Sequence, residues 1–342
     1  MSELKYSVED CLDYSGLPSY DFISSLSNIA SELLENEIAD YRVPATDGNP
    51  GSLIELKNKL PSIIVPDIHA RPEFIKNILN YSLPDGFCKN NEGTFVKCSV
   101  KEALEQKLIN VICVGDAIHT ELTSERWNYI SAEFDNGIKT GPVMKAEMRE
   151  GLSIICALMC LKLNYPENFH FIKGNHENIL NENDGGDYAF CKYADEGFMV
   201  KEFISEYYGE DVLYLISCWE KALPLVVAGH NFVVSHGEPL SAYTRQQLVD
   251  ARFYGNVVNG LIWTKNGDVK ENTSHVIMKE LLSLEESEKS FYFAGHRPVS
   301  GNYALRQEGR FIQIHNPRKQ NIALVSAEGT FDPDKDIVGV DL

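Results

Sequence analysis

Short runs of Val, Ile and Phe recur along the chain from about residue 61 onwards, and each is broken by a polar cluster. The runs are SIIVPDIHA, NVICVGDAIHTE, FHFIKGNHE, NFVVSHGEP and FYFAGHRP. Between them lie stretches in which apolar residues recur at helical spacing, most clearly in 143–163, which ends before Pro166. Short apolar strands that alternate with helices predict an α/β fold.

The two ends of the chain have different patterns. In residues 1–60, the segment SSLSNIASELLENEIADY has apolar residues at helical spacing, and PATDGNPGS is typical of a loop. We therefore predict a mostly helical N-terminal extension over 1–60, packed on a single main domain over 61–342. Near the other end, RFIQIH and NIALVSAE are separated by a short polar turn, which predicts a hairpin that closes the fold.

Composition indicates an ordinary globular protein and narrows the range of its partners. The 342 residues are 44% hydrophobic and 24% charged, with a formal net charge of −19. General nucleic-acid binding needs a basic face, so this acidity argues against it. The sequence shows no apolar run of about 18–20 residues for a membrane span and no secretory signal. Its eight cysteines include no CxxC pair, so we expect a cytoplasmic protein with reduced thiols.

Potential metal ligands follow five of the predicted strands. They are Asp67 and His69, Asp116, Asn175 and His176, His236, and His296. Ligand sites in open α/β sheets form at the carboxyl ends of the strands, and glycines beside these residues let the backbone turn sharply. Imidazole, carboxylate and amide groups without a thiolate suit divalent transition metals. There are more such positions than one tetrahedral ion needs, which favours two ions that share a bridging aspartate.

Two neighbouring ions would give the site a definite chemistry. Divalent ions about 3.5–4 Å apart bind the attacking and leaving oxygens of a displacement at phosphorus. Two aspartates neutralise only half the charge of two divalent ions, so the site would attract phosphate even in an acidic protein. Taken singly, each residue has a structural alternative, such as a turn or a buried histidine. Five strand ends in one chain favour the metal site, whereas His170, His275 and His315 lack this context and are expected to be structural or on the surface.

The motifs PDIHA, GDAIHTE, GNHE, SHGEP and AGHRP resemble, in order and spacing, those of the calcineurin-like metallophosphoesterases. The resemblance is closest to the phosphoprotein (serine/threonine) phosphatase branch, whose motifs are GDxHG, GDxVDRG, GNHE, HGG and a later histidine. It covers about residues 61–328 and is most specific around LKLNYPENFHFIKGNHEN. It implies a two-sheet β-sandwich flanked by helices, the four-layer metallophosphoesterase fold, with the metals at one edge.

Carried over residue by residue, the resemblance implies two divalent ions (Mn²⁺, Fe²⁺ or Zn²⁺) bound by six side chains. Asp116 would bridge both ions and so take part in catalysis. A metal-bridging hydroxide would attack phosphorus in line, while His176, as general acid, protonates the leaving oxygen. The remaining ligands would be Asp67 and His69 for the first ion, and Asn175, His236 and His296 for the second.

The second motif, GDAIHTE, departs from the pattern of the family. His119 stands where the family has the aspartate that orients the catalytic histidine, and Thr120 stands where it has a phosphate-binding arginine. A second family arginine would fall near Ser274. Either His119 or Glu121 could orient His176 instead. The candidate replacements for the phosphate-binding arginines are Arg71, Arg126 and Arg297.

These observations support one leading hypothesis and two rivals. The first is a binuclear metal-dependent phosphoesterase, most simply a phosphomonoesterase, whose partner is a phosphorylated substrate and not a nucleic acid or a membrane. Because the arginines of the family are missing, a nucleotide or dinucleoside polyphosphate hydrolase is the alternative within the same enzyme class. The alternative from another class is a non-catalytic metal-binding scaffold whose acidic face recruits a partner.

Overall fold

The computed structural model describes residues 7–13, 15–90, 92–269 and 272–341. The α-helices are α1 (Val8–Leu12), α2 (Tyr20–Glu35), α3 (Pro72–Asn80), α4 (Val100–Glu105), α5 (Glu125–Asp135), α6 (Pro142–Asn164), α7 (Glu196–Tyr207), α8 (Glu210–Ala222), α9 (Arg245–Val249), α10 (Gly255–Ile262), α11 (Thr273–Leu281), α12 (Leu284–Ser287) and α13 (Pro333–Asp336). The β-strands are β1 (Arg42–Pro44), β2 (Pro50–Glu55), β3 (Ser62–Val65), β4 (Cys88–Lys89), β5 (Phe95–Val96), β6 (Asn110–Cys113), β7 (Phe169–Phe171), β8 (Val226–Gly229), β9 (Phe232–Ser235), β10 (Phe291–Ala294), β11 (Ala304–Arg306), β12 (Phe311–Gln313), β13 (Asn321–Val325) and β14 (Ile337–Gly339).

The strands form two main sheets. The larger has seven strands in the order β1-β2-β8-β9-β10-β12-β11, and the smaller has five in the order β14-β13-β3-β6-β7. Three neighbouring strands run parallel in each sheet: β9, β10 and β12 in the larger, and β3, β6 and β7 in the smaller. Since parallel neighbours end on the same side, the carboxyl ends of these strands line one edge of each sheet.

Alternating apolar residues in the strands build a core between the sheets and a core on each outer face. Ile64 of β3 belongs to the central core together with Phe293 of β10, whereas Ile63 faces the helices that cover the smaller sheet. On the outer face of the larger sheet, Tyr292 belongs to a cluster that includes Leu261 of α10. Successive strand side chains point to opposite faces, so the chain forms helix, sheet, sheet and helix layers. The predicted fold, two sheets flanked by helices, is confirmed.

The helix α6 shows how the N-terminal residues complete these layers. Pro142 occupies its first turn, where a missing N–H group costs nothing, and its side chains from Met148 to Leu161 are largely buried around the whole helix. A helix that is apolar all round needs cover on its outer side as well. The helices α1 and α2 pack on α6 and provide that cover. None of the described helices has both the length and the apolar composition needed to cross a membrane.

The C-terminal part of the chain differs from its prediction. The predicted closing hairpin is wrong, because β12 pairs with β10 in the larger sheet and β13 pairs with β3 in the smaller one. Ile314, just after β12, is buried in the core between the sheets. The connecting segment therefore crosses from one sheet to the other instead of turning back.

The first sixty residues contain strands as well as helices. Both β1 and β2 lie within the predicted extension, and β2 pairs in parallel with β8 of the larger sheet. Residues 50–55 thus take part in the sheet that carries His236 and His296. The division of the chain at residue 61 stays a prediction.

Candidate metal centre

The loops after the parallel strands meet where the edges of the two sheets come together. The predicted residues follow β3, β6 and β7 in the smaller sheet, and β9 and β10 in the larger one. The structure brings all of them into two adjoining groups of side chains. The side chains in contact are Asp67, His69, Asp116, Asn175, His176, His236 and His296.

The first group surrounds His69. Its Nε2 atom lies 3.7 Å from Asp67 Oδ2 and 3.6 Å from Asp116 Oδ2. Its Nδ1 atom lies 3.3 Å from the main-chain oxygen of Ile118, which can only accept a hydrogen bond. The proton is therefore held on Nδ1, and the Nε2 lone pair faces the two carboxylates. A cation between these three groups would satisfy all of them.

The second group combines two imidazoles and an amide. Nε2 of His236 lies 2.9 Å from Asn175 Oδ1 and 3.2 Å from His296 Nδ1, and these last two atoms are 2.8 Å apart. His236 Nδ1 lies 2.8 Å from the main-chain oxygen of Val114, so the same reasoning places its proton there and frees Nε2. Converging imidazole and amide ligands of this kind suit a divalent transition metal.

Asp116 joins the two groups. Its Oδ2 atom lies 3.5 Å from His236 Nε2, 3.6 Å from His69 Nε2 and 3.7 Å from His176 Nε2. Burial raises the pKa of Asp116 well above its ordinary value, and the nearby carboxylates of Asp67 and Glu177 add to that rise. A divalent cation would compensate this concentration of negative charge. Asp116 Oδ2 is thus in contact with an imidazole of each group.

Two glycines allow the loops to approach the carboxylates. A Cβ atom at Gly174 would lie 2.3 Å from Asp116 Oδ1, and one at Gly295 would lie 1.7 Å from Asp67 Oδ1. Both distances are far below van der Waals contact, so any other residue would displace an aspartate from its group. The sequence analysis expected these glycines to allow sharp turns, and the structure shows that they also allow a close approach of the backbone.

Backbone strain is concentrated at the same place. Left-handed φ angles are uncommon for residues other than glycine, and they persist where the surrounding structure enforces them, often at functional sites. In this group of loops, such angles occur at His69 (46°), Asp116 (54°), His119 (77°) and His296 (61°).

Glu177 holds the loops after β6 and β7 together. Its Oε2 atom accepts hydrogen bonds from the amides of Gly174 (2.7 Å) and Asp116 (2.9 Å), and Oε1 accepts one from Ala117 (2.8 Å). The main-chain amide of His176 in turn donates to Asp116 Oδ1 at 3.0 Å. The last residue of the GNHE motif therefore supports the turn instead of facing the candidate metal site.

His176 lies at the boundary of the two groups, and its ring is packed from the other side. It stacks on Phe190, with ring centroids 4.3 Å apart, and its centroid is 4.9 Å from that of His119. Nε2 of His119 lies 3.3 Å from Oε1 of Glu196, and both side chains are fully buried. Glu196 was missed by the sequence analysis, since it opens α7, far along the chain, and no motif marks it.

Glu121 was a candidate for orienting His176, but its carboxylate contacts His69 of the first group and His315. Its Oε1 atom lies 3.5 Å from His69 Nε2, and its Oε2 atom lies 3.0 Å from Nε2 of His315. His315 was expected to be structural or on the surface. It is fully buried, and its Nδ1 atom lies 3.6 Å from Asp67 Oδ2. A signal was present, because His315 follows the apolar run FIQI just as the other histidines follow their strands. The wrong hairpin prediction obscured it.

The three candidate phosphate-binding arginines differ in what they already bind. The guanidinium of Arg71 is buried and donates to main-chain oxygens, and that of Arg126 pairs with two glutamates of α6. Arg297, directly after His296, has a buried Nε atom with no hydrogen-bond partner among the described residues. Of the three, Arg297 is the one whose side chain remains available beside the site.

The protonation of the imidazoles matches the needs of a metal. Burial lowers the pKa of His69, His176, His236 and His296, because it disfavours the charged form. The neutral imidazole is the form that binds metal ions. Within the described part of the chain, the buried His296 Nε2 and His315 Nδ1 atoms also lack hydrogen-bond partners. The residues present therefore fit divalent metal ions.

Comparison with known proteins supports the fold. No protein-family model matches the sequence. A serine/threonine phosphatase from Saccharomyces cerevisiae with similarity to human phosphatase PP5 superimposes with a TM-score of 0.55 at 14% identity, over 94% of this chain and 89% of that one. A cold-active protein-tyrosine phosphatase of the psychrophile Shewanella gives a TM-score of 0.43 at 12% identity, over 82% of this chain and 81% of that one. The chain thus shares its fold with the yeast serine/threonine phosphatase.

Proposed function

We propose that this chain is a phosphoesterase that uses two divalent metal ions to hydrolyse phosphomonoesters. The observation that carries the proposal is the pair of ligand groups joined by Asp116. Because Asp116 contacts both groups, it would be a ligand common to both ions, and the ions would supply their chemistry to one phosphoryl group. The ligands would be Asp67, His69 and Asp116 for the first ion, and Asp116, Asn175, His236 and His296 for the second.

When bound, the ions would supply Lewis-acid polarisation of the phosphoryl group and activation of water. His176 supplies the proton. Its Nε2 atom lies 3.7 Å from Asp116 Oδ2, close to both ligand groups, so it is the group that would protonate the leaving oxygen. The carboxylate of Glu196 accepts the Nε2 proton of His119, which leaves the lone pair on His119 Nδ1. Nδ1 of His119 and Nδ1 of His176 each lack a hydrogen-bond partner among the described residues, and the two ring centroids are 4.9 Å apart. We assign His119 as the positioning residue that would accept the Nδ1 proton of His176, in place of an aspartate.

Recognition of the substrate rests on its phosphate group. The Nε atom of Arg297 is buried and has no hydrogen-bond partner among the described residues, so Arg297 is the donor that we assign to a phosphoryl oxygen. The fold shared with the yeast serine/threonine phosphatase supports a phosphorylated substrate.

The described cysteines form no disulfide, which supports a cytoplasmic location.

The test is hydrolysis by the purified chain after addition of Mn²⁺, Fe²⁺ or Zn²⁺. We expect turnover of p-nitrophenyl phosphate, and His176→Ala should lower kcat about 10²- to 10⁴-fold while both ions stay bound. His230→Ala is the matched control, because His230 pairs with Glu286 away from the metal site and should keep full activity.

The outcomes separate the alternatives. A panel of phosphopeptides, sugar phosphates, nucleotides and dinucleoside polyphosphates shows which substrate class reacts fastest, and a preference for the last two supports the nucleotide hydrolase instead. Elemental analysis that finds two ions in a protein inactive towards the whole panel would support the non-catalytic scaffold. Absence of bound ions at saturating metal would overturn the proposal.

A further inference from the structure

The histidine after β12 occupies the same structural position as the predicted ligands. Strand β12 runs parallel to β10, so residues after both strands emerge at the same edge of the larger sheet. His315 is the counterpart, after β12, of His296 after β10. Each of the six parallel strands that meet at this edge is therefore followed by at least one potential metal ligand.

The contacts of His315 leave one nitrogen free to bind a cation. Nε2 lies 3.0 Å from Glu121 Oε2, and because a carboxylate accepts, this atom carries the proton. Nδ1 then bears the lone pair. It is buried, has no hydrogen-bond partner among the described residues, and lies 3.6 Å from Asp67 Oδ2. An imidazole that donates to a carboxylate through one nitrogen and faces a carboxylate with the other has the arrangement of a metal ligand.

A purely structural role would give a different pattern of contacts. His170 is an internal comparison, since it is also fully buried; it lies on β7, at the edge of the smaller sheet. Both of its nitrogens have protein partners: Nδ1 lies 3.4 Å from Lys162 Nζ, and Nε2 lies 3.1 Å from the main-chain oxygen of Glu167. Nδ1 of His315 has no such partner among the described residues, and a cation bound there would provide one.

Two further interactions hold His315 and Glu121 in place. The Arg71 guanidinium donates to the main-chain oxygens of Asp67 (2.6 Å) and Lys319 (2.8 Å), which joins the loop after β3 to the segment after β12. Glu121 also pairs with Lys192 at 2.5 Å, so its negative charge is balanced before any ion binds. The glutamate can therefore lie among the other carboxylates without repelling a phosphate.

We propose that His315 is a further ligand of the first metal ion, and that Glu121 keeps it in the ligating tautomer. This inference rests on the proposed function, since it concerns the same pair of ions. It gives the first site Asp67, His69, Asp116 and His315, and the second Asp116, Asn175, His236 and His296. Each ion then has four protein ligands, two of which are imidazoles. Glu121, which the sequence analysis considered for orienting His176, is a positioning residue for His315 instead.

The test measures metal binding directly, without reference to turnover. Metal-free protein is titrated with Zn²⁺ or Co²⁺, and bound ions are counted by elemental analysis after gel filtration. We expect two ions per chain for the unaltered protein. His315→Ala and His315→Gln should bind the first ion at least about tenfold more weakly and leave the second unchanged. Glu121→Gln should weaken the first ion by about 10- to 100-fold, as is typical for loss of a partner to a ligating histidine.

Controls separate a ligand from a structural residue. His170→Gln alters a buried histidine outside the site and should keep two ions at unaltered affinity, even if its melting temperature falls. Imidazole added to His315→Ala should restore binding of the first ion, which a merely destabilised fold would not show. If both His315 variants bind two ions with unaltered affinity, this inference fails while the proposed function stands. If the unaltered protein binds no ions, both fail together.

Discussion

The turn at 174–177 and the loop at 115–121 lie side by side at the ends of β7 and β6, yet they are stabilised in different ways. In the turn, the Glu177 carboxylate accepts from the amide of Gly174, three residues away, and from two amides of the adjacent loop. In the loop, His119 and Glu121 reach partners about 70 or more positions away. The turn has the sequence GNHE and is held mainly by one of its own residues. The loop has the sequence GDAIHTE, and its side chains are held by partners from distant segments.

The strongest test of this difference is removal of the Glu177 carboxylate. Glu177→Ala leaves three buried amides without acceptors, each costing about 1–3 kcal/mol. We expect the free energy of unfolding, measured with urea, to fall by about 3–5 kcal/mol and metal binding to be lost with it. Glu177→Gln keeps one acceptor oxygen and should lose less. A loss below about 1 kcal/mol for the alanine variant would show that the turn does not depend on this carboxylate.

A second test concerns Glu220, which extends the support of the turn by accepting from the amide of Ile179 at 2.8 Å. Burial raises the pKa of Glu220 to about 8. In the unfolded chain a glutamate has a pKa of about 4.3, so between these values the folded protein binds more protons than the unfolded one. Stability contributed by the protonated Glu220 is therefore lost as pH rises through this window.

Glu220→Gln mimics the protonated carboxyl and removes this dependence. Between pH 5 and 8 we expect the unaltered protein to lose about 2–3 kcal/mol more unfolding free energy than the variant, as measured by urea denaturation at each pH. The variant should also melt at a higher temperature at pH 8. Parallel pH profiles for the two proteins would contradict burial of a neutral carboxyl at this position.

The smallest effect is expected for Glu196, the partner of His119 in the loop at 115–121. Glu196→Gln should disturb the tautomer of His119 without removing His176, so we expect kcat to fall about tenfold with little change in KM or in metal content. Glu206→Gln, an exposed change on the same helix, is the control and should be neutral. A loss as large as that of His176→Ala would place Glu196 in direct contact with the reaction. No loss would leave His119 without a positioning role.

The sequence predicted what depends on local pattern. Alternating strands and helices indicated the α/β architecture, and each polar strand end was visible without knowledge of the fold. Three features depended on distant pairing instead. The partner of β12 is decided by β10 and not by the short turn that follows it, so the hairpin was wrong. Glu196 and the role of His315 depend on which segments meet in space, which single-chain periodicity does not encode.

The meeting of two sheet edges has a mechanical consequence. The side chains that would bind the ions come from both sheets, and their positions run from Asp67 to His315, so bound metal would cross-link most of the chain. Such a link acts like a disulfide, because it restricts the unfolded ensemble as well as stabilising the folded one. A chelator would then do more than halt the chemistry. It would release the two halves of the sandwich at one edge, and local opening of the protein would begin there.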